Sequence, residues 1–134
     1  MSDWASLSGL CLLSPTFNRA SQRARHVLTE NARVLAARGA DARAFGELMN
    51  ASHQSLRDDY AVSVPRLDLL VSLLQAEQPV YGAKLTGAGF GGACVALCEP
   101  QCASRVAAKV LEAYSDLGGH GRLLLPAPSA HHTL

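Results

Sequence analysis

Apolar residues return every three to four positions over residues 19–38, again over 41–59, and again from Pro65 up to Pro79. That period predicts three helices in succession. In the first, Ala24, Val27, Leu28 and Leu35 share the buried side, with Arg23, Arg25, Glu30 and Arg33 mostly outside. Gly39, taking a left-handed backbone, is the expected stop, and Asp41 the cap of the second helix. There Phe45, Leu48, Met49, Ser52 and Leu56 fall on one face, and the helix should end near Asp59. Pro65 opens the third helix at its first position, where a missing N–H costs little. Leu67, Leu70, Val71 and Leu74 form its stripe, and Pro79 ends it.

The pattern then changes. Residues 80–85 and 93–97 read as strands, and Pro100 as the start of a fourth helix carrying Ala103, Val106, Val110 and Tyr114. Gly118-Gly119 should end that helix. Residues 122–125 read as a short third strand, and the tail from Pro126 as a further edge strand. Residues 1–18 show no clear period and read as an irregular lead-in to one domain over 19–134. The order ααα-β-β-α-β predicts an α+β domain with helices packed on a small antiparallel sheet.

Bulk properties narrow the function. The 134 residues suit one domain with a sizeable core. A formal charge of +1 and seven aromatic side chains (three Phe, three Tyr, one Trp) give neither a basic field nor a stacking surface for nucleic acid. No run is long enough to span a membrane, and Met1-Ser2-Asp3 lacks the basic start of a signal peptide. Cys11, Cys94, Cys98 and Cys102 fit neither a paired zinc motif nor a dense disulfide scaffold. Free thiols, largely buried, are the expectation, and they suit the cytoplasm.

The strongest local signal is Thr86-Gly87-Ala88-Gly89-Phe90-Gly91-Gly92, with four glycines in six positions between two apolar runs. A tight hairpin needs only two turn residues. The excess suggests an anion, above all phosphate, gathered by backbone N–H groups. Residues 87–92 satisfy GxGxxG, but a dinucleotide site needs a helix after the loop, and here a strand is expected. A Walker loop needs a terminal Gly-Lys-Ser/Thr, which is absent. A protein-kinase loop would require an HRD loop and a DFG segment, also absent. Spacing alone leaves two readings open, a phosphate loop and a glycine-rich hairpin built for packing. In the first, Thr86 would add a hydroxyl and Lys84 a charge. Lys84 could equally be a solvated strand residue.

Read with its neighbours, the segment Gly82-Ala83-Lys84-Leu85-Thr86-Gly87-Ala88-Gly89-Phe90-Gly91-Gly92 resembles the third motif of the GHMP kinases, in its galactokinase form. Arg23-Ala24-Arg25-His26-Val27 with Glu30-Asn31 carries the same resemblance. So do Phe45-Gly46-Glu47-Leu48-Met49-Asn50-Ala51-Ser52-His53, Ser55-Leu56-Arg57-Asp58-Asp59-Tyr60 and Pro65-Arg66-Leu67-Asp68, the last resembling a Pro-Glu-Leu-Asp. The resemblance runs from about Arg23 to the C-terminus, more than four-fifths of the chain.

It implies a ferredoxin-like C-terminal domain whose loop, Thr86, Gly87, Ala88, Gly89, Phe90, Gly91 and Gly92, lies by the phosphates of ATP. It also implies Mg²⁺ as cofactor and transfer of a phosphoryl group to galactose. The family's N-terminal signature, main phosphate loop, catalytic aspartate and arginine have no counterpart here, so no residue inherits a catalytic or metal-binding role. Residues 1–18 do not resemble the family, and the turn at Arg38-Gly39-Ala40-Asp41 is shorter than its usual helix connection. The expectation is a kinase fragment or split enzyme, inactive alone and completed by the missing half or a second chain. The alternatives are a non-catalytic or vestigial interaction module and a piece of another GHMP kinase.

Other reactive side chains have plainer readings. Asp58 and Asp59 are adjacent, so their carboxylates point apart, and structural pairing is expected over a Mg²⁺ site. Arg57 reads as an ion-pair or carbonyl partner at the same helix end. His26 and His53 read as polar packing between helices, and His131-His132 as solvated tail. Phe90 either shields the loop from water or anchors the hairpin in the core.

Overall fold

The computed structural model describes residues 15–125. Four helices and two strands follow in the order α1 (Pro15–Ala37), α2 (Ala42–Asp58), α3 (Pro65–Gln75), β1 (Val80–Thr86), β2 (Ala93–Cys98) and α4 (Ala103–Asp116). This is the expected α+β arrangement. α1 starts four residues earlier than its apolar period, at Pro15, so the irregular lead-in does not extend to residue 18. The predicted edge strand from Pro126, His131-His132 and Cys11 lie outside the described residues.

Local chemistry explains most boundaries. The Asp41 side chain caps α2 by accepting the Ala44 N–H at 2.8 Å. Pro65 opens α3 at its first turn. α3 ends at Gln75, ahead of Pro79, whose carbonyl instead accepts the Glu99 N–H beside the sheet. α4 begins three residues later than expected because Gln101 holds a left-handed backbone (φ 66°), which a helix from Pro100 would not allow. Its end is as expected: Gly118 is left-handed, and the Gly119 N–H returns to the Tyr114 carbonyl. Gly39 is not left-handed. The turn after α1 closes instead through N–H groups of Gly39 and Ala40 on the Ala37 carbonyl.

The sheet is antiparallel, with Lys84 opposite Val95, Leu85 opposite Cys94 and Thr86 opposite Ala93. An irregularity between Val80 and Gly82 leaves Tyr81 as a bulge. At that bulge the backbones of α2 and β1 meet. A Cβ on Gly46 would collide with the Tyr81 carbonyl, and one on Gly82 with the Gly46 carbonyl. Helix and strand are therefore close enough for α2 side chains to serve the far edge of β1. Asn50 Oδ1 accepts the Ala83 N–H at 2.9 Å, and His53 Nδ1 accepts the Leu85 N–H at 3.2 Å. Gln75 adds a bond to the Ala83 carbonyl. Edge groups that would template another strand are thus occupied. The predicted strand at 122–125 does not form: those residues lie exposed beyond α4.

The core is small. Ala83 and Leu85 are 0 % and 1 % exposed, joined by Leu67, Val71, Val106, Val110 and Tyr114. α1 is turned the other way from its apolar stripe. Val27, Leu28, Val34 and Leu35 are 54–59 % exposed, while His26 is buried and Thr29, Glu30 and Arg33 are half-buried. The reason is chemical: α2 presents Ser52 and Ser55 on the facing side, and these need polar partners. Ser52 donates to Glu30 at 2.7 Å, and His26 Nδ1 lies 2.8 Å from Ser55 Oγ. The His26 ring also stacks on Tyr60 with centroids 4.8 Å apart. Among the described residues, no buried side-chain polar atom lacks a partner.

Two glycine substitutions separate contact from conformation. Gly46→Ala should lower stability by about 1–3 kcal/mol, a fall of several degrees in Tm, because a packed backbone must move. Gly39→Ala, with open space around it and no left-handed φ, should be neutral or stabilising by up to about 1 kcal/mol. Thermal melts of the two variants beside the parent check both.

Candidate functional site

The β1–β2 hairpin closes on the Thr86–Ala93 pair, leaving residues 87–92 as its loop. All four glycines there have positive φ, from 82° to 126°. Gly89 is the most constrained, since a Cβ on it would strike the Val62 carbonyl. That carbonyl accepts the Phe90 N–H at 2.7 Å, pinning the loop to the α2–α3 connector. Among the described residues, no turn hydrogen bond engages the N–H groups of Gly87, Ala88, Gly89 or Gly91. A run of left-handed glycines with open N–H groups is a concavity suited to an anion.

Strain marks the same place. Phe90 holds φ 58° and Ala61 holds φ 57°, each without the freedom of glycine. The two sit on either side of the Val62–Phe90 hydrogen bond. Such conformations persist only where surroundings over-determine them. The Phe90 ring is 71 % exposed, so it does not anchor the hairpin in the core.

Lys84 takes neither of its expected roles. Its Nζ donates to Ser52 Oγ at 2.6 Å and lies 3.5 Å from Glu30 Oε1, tying β1 to α1 and α2. Burial opposes ionisation of Glu30. Hydrogen bonds from Ser52 and Arg33, with the charges of Lys84 and Arg33, outweigh it and hold the carboxyl below its ordinary range. Asp58 pairs with Arg57 through two bonds at 2.8 and 3.0 Å. Asp59 instead faces Arg25 and Ser55. The carboxylates do point apart, and the described residues contain no cluster of acidic, His or Cys side chains able to hold a metal. Cys94, Cys98 and Cys102 are free and half-buried, and burial pushes the Cys94 thiol up to about 11.

A constellation invisible in the sequence surrounds His53. Because Nδ1 accepts the Leu85 N–H, the proton lies on Nε2, which donates to Asp68 Oδ1 at 3.0 Å. Ser63 donates to the same oxygen at 2.6 Å. Burial lowers the His53 pKa, against the opposing pull of Asp68. Apart from the Asn50–His53 spacing of three on one helix, nothing in the sequence signals this arrangement.

Two open clefts of about 410 Å³ lie away from the loop, one beside Glu77, Arg105 and Lys109, the other beside Asn50, His53 and Arg57. In the loop itself Thr86, Gly87, Ala88 and Phe90 are exposed. No described helix is long and apolar enough to cross a membrane.

Comparison with known proteins gives the family of this fold. Residues 32–116 match the family model for the C-terminal domain of GHMP kinases. The chain is 48 % identical over 101 residues to a galactokinase of Roseiflexus sp. (strain RS-1), covering 72 % of this chain and 26 % of that protein. It is 50 % identical over 99 residues to a galactokinase of Bos taurus, covering 71 % and 25 %. A crystal structure of Lactococcus lactis galactokinase complexed with galactose superposes with a TM-score of 0.72 at 35 % identity, over 90 % of this chain and 33 % of that one. The chain thus spans about a quarter of the length of the curated relatives it matches.

Gly87→Ala and Gly89→Ala should behave differently. The first meets open space and costs only the left-handed backbone, about 1–2 kcal/mol. The second adds the collision with Val62 and should lose about 1–3 kcal/mol more. Denaturant titrations check the difference in stability, and the Phe90 amide shift should move only in Gly89→Ala.

Proposed function

The chain belongs to the GHMP kinases as their C-terminal domain, and on that premise we propose that it serves as the C-terminal part of a galactokinase-type sugar kinase. The whole reaction would carry the γ-phosphoryl of ATP to the C1 hydroxyl of galactose. In this reading Thr86, Gly87, Ala88, Gly89, Phe90, Gly91 and Gly92 line the ATP phosphates. The observation that carries it is the left-handed glycine loop with open N–H groups, held in place by its own connector. ATP would supply the transferable group when bound, and Mg²⁺ would offset the charge of its phosphates. The loop amides would hold and orient phosphate oxygens, the Thr86 hydroxyl would add a donor, and Phe90 would screen the contact from water. Carboxylates for Mg²⁺ and a base for the sugar hydroxyl would come from outside the described residues, which bring none to the loop. Free thiols favour the reducing cytoplasm as its compartment.

The exposed apolar residues of α1 support a second reading, an interaction module that docks the N-terminal half or another chain through that helix. Leu28→Glu would then abolish association seen by light scattering and leave the loop's amide shifts unchanged. A chain that stays strictly monomeric and binds no partner would remove this reading.

For the kinase reading, ATP added to the ¹⁵N-labelled chain should shift the amides of residues 86–92 and few others. Affinity should be weak, because charge-assisted hydrogen bonds of about 1.5–3 kcal/mol each must first offset the entropy of association. The chain alone should not phosphorylate galactose. Shifts confined to another face, or turnover by the pure chain, would overturn it.

A further inference from the structure

We propose that His53 is the positioning residue of the glycine loop, fixing from one point on α2 both the strand that enters the loop and the connector that pins it. The inference concerns loop geometry and takes its functional meaning from the phosphate-site reading above.

Each link is a short contact. His53 is 3 % exposed, and its two ring nitrogens face opposite ways. Nδ1 accepts from Leu85, the residue before Thr86 at the mouth of the loop. Nε2–H donates to Asp68 Oδ1, which also receives the Ser63 hydroxyl. Ser63 follows Val62, whose carbonyl takes the Phe90 N–H. The imidazole therefore closes a ring of contacts running β1, loop, connector, α3 and back to α2. Ala61 and Phe90 hold their strained backbones inside that ring. α2 also holds the connector directly, since the Tyr60 N–H donates to Ser55 and the Val62 N–H to Leu56, so the ring adds the link from that connector through Asp68 to the strand entering the loop.

Only one protonation state closes the ring. Neutral imidazole with its proton on Nε2 satisfies both bonds. A second proton on Nδ1 would set two N–H groups against each other and release Leu85. The charged groups around the imidazole are Asp68 on α3, Arg57 and Asp58 on α2, and Lys84 on β1. Arg57 and Lys84 oppose a further positive charge, while Asp68 favours it. Since folding lowers the pKa, the unfolded chain binds the proton more readily. The stabilisation is complete above the ordinary imidazole value of about 6.5 and declines as pH falls below it toward the folded value. Loop placement, a property of the folded chain, should follow protonation of the folded imidazole, below that ordinary value.

The test is an NMR titration of the full ¹⁵N-labelled chain between pH 8 and 5, with the His53 ring carbons observed in parallel. The amides of Leu85, Phe90 and the loop glycines should move together, with the midpoint of the His53 ring. Exchange of the Phe90 amide, corrected for its intrinsic pH dependence, should accelerate about tenfold across that midpoint, the effect of losing one buried hydrogen bond. His53→Asn retains an acceptor near the Nδ1 position but cannot titrate. Having lost the Nε2 link to Asp68, it should keep only the Leu85 amide near its neutral-parent shift and abolish the pH dependence of that shift, whereas His53→Leu should lose the Leu85 shift as well. A residue that only fills space would show no such rescue. Loop amides that stay flat while His53 titrates in the parent would overturn the proposal, as would an unchanged pH profile in His53→Asn. The parent titration decides by itself if a variant does not fold. Should the loop follow His53 while ATP leaves residues 86–92 unshifted, the positioning role stands and the phosphate reading falls.

Discussion

Contact between two glycine backbones sets the geometry of this domain. Gly46 in α2 and Gly82 in β1 touch with no side chain between them, beside the bulge at Tyr81. Helices usually rest on a strand through a layer of side chains. Here the backbone itself approaches, so short polar side chains one and two turns further along α2 reach β1's amides. Asn50 reaches Ala83, and His53 reaches Leu85. α2 thereby acts as the missing neighbour of the strand, and a two-stranded sheet has one edge closed without a third strand.

The same closeness explains why so much of the interior is polar. α2 meets the strand at Gly46, and beside that contact it buries the hydroxyls of Ser52 and Ser55. Hydroxyls there require partners, since an unpaired buried donor costs about 1–3 kcal/mol. Glu30, His26 and Lys84 meet that need, and in doing so they rotate α1 so that its polar side faces inward. The apolar stripe is left on the surface.

The loop that carries the functional reading inherits its shape from this scaffold. Its glycines permit left-handed backbone, but they do not choose one arrangement among the many open to glycine. The choice comes from the Val62 carbonyl, the Leu85 amide and the groups that hold them. Phe90 and Ala61 are strained because the connector and the hairpin are each anchored elsewhere.

Several features were determined by sequence alone. The 3.6-residue period placed the helices, the Asp41 cap and Gly118-Gly119 set two of their ends, and the density of glycine marked the loop. These are local properties, decided within a turn or two of chain. Others were decided only by tertiary structure. Which side of α1 is buried depends on hydroxyls in α2, and the inward turn of Lys84 depends on Glu30, 54 residues away. The left-handed Gln101, which delays α4, has no local signature of the kind glycine provides. For α1 and Lys84 the deciding energy is a buried polar group finding a distant partner, and a one-dimensional pattern of apolar and polar residues does not carry that information.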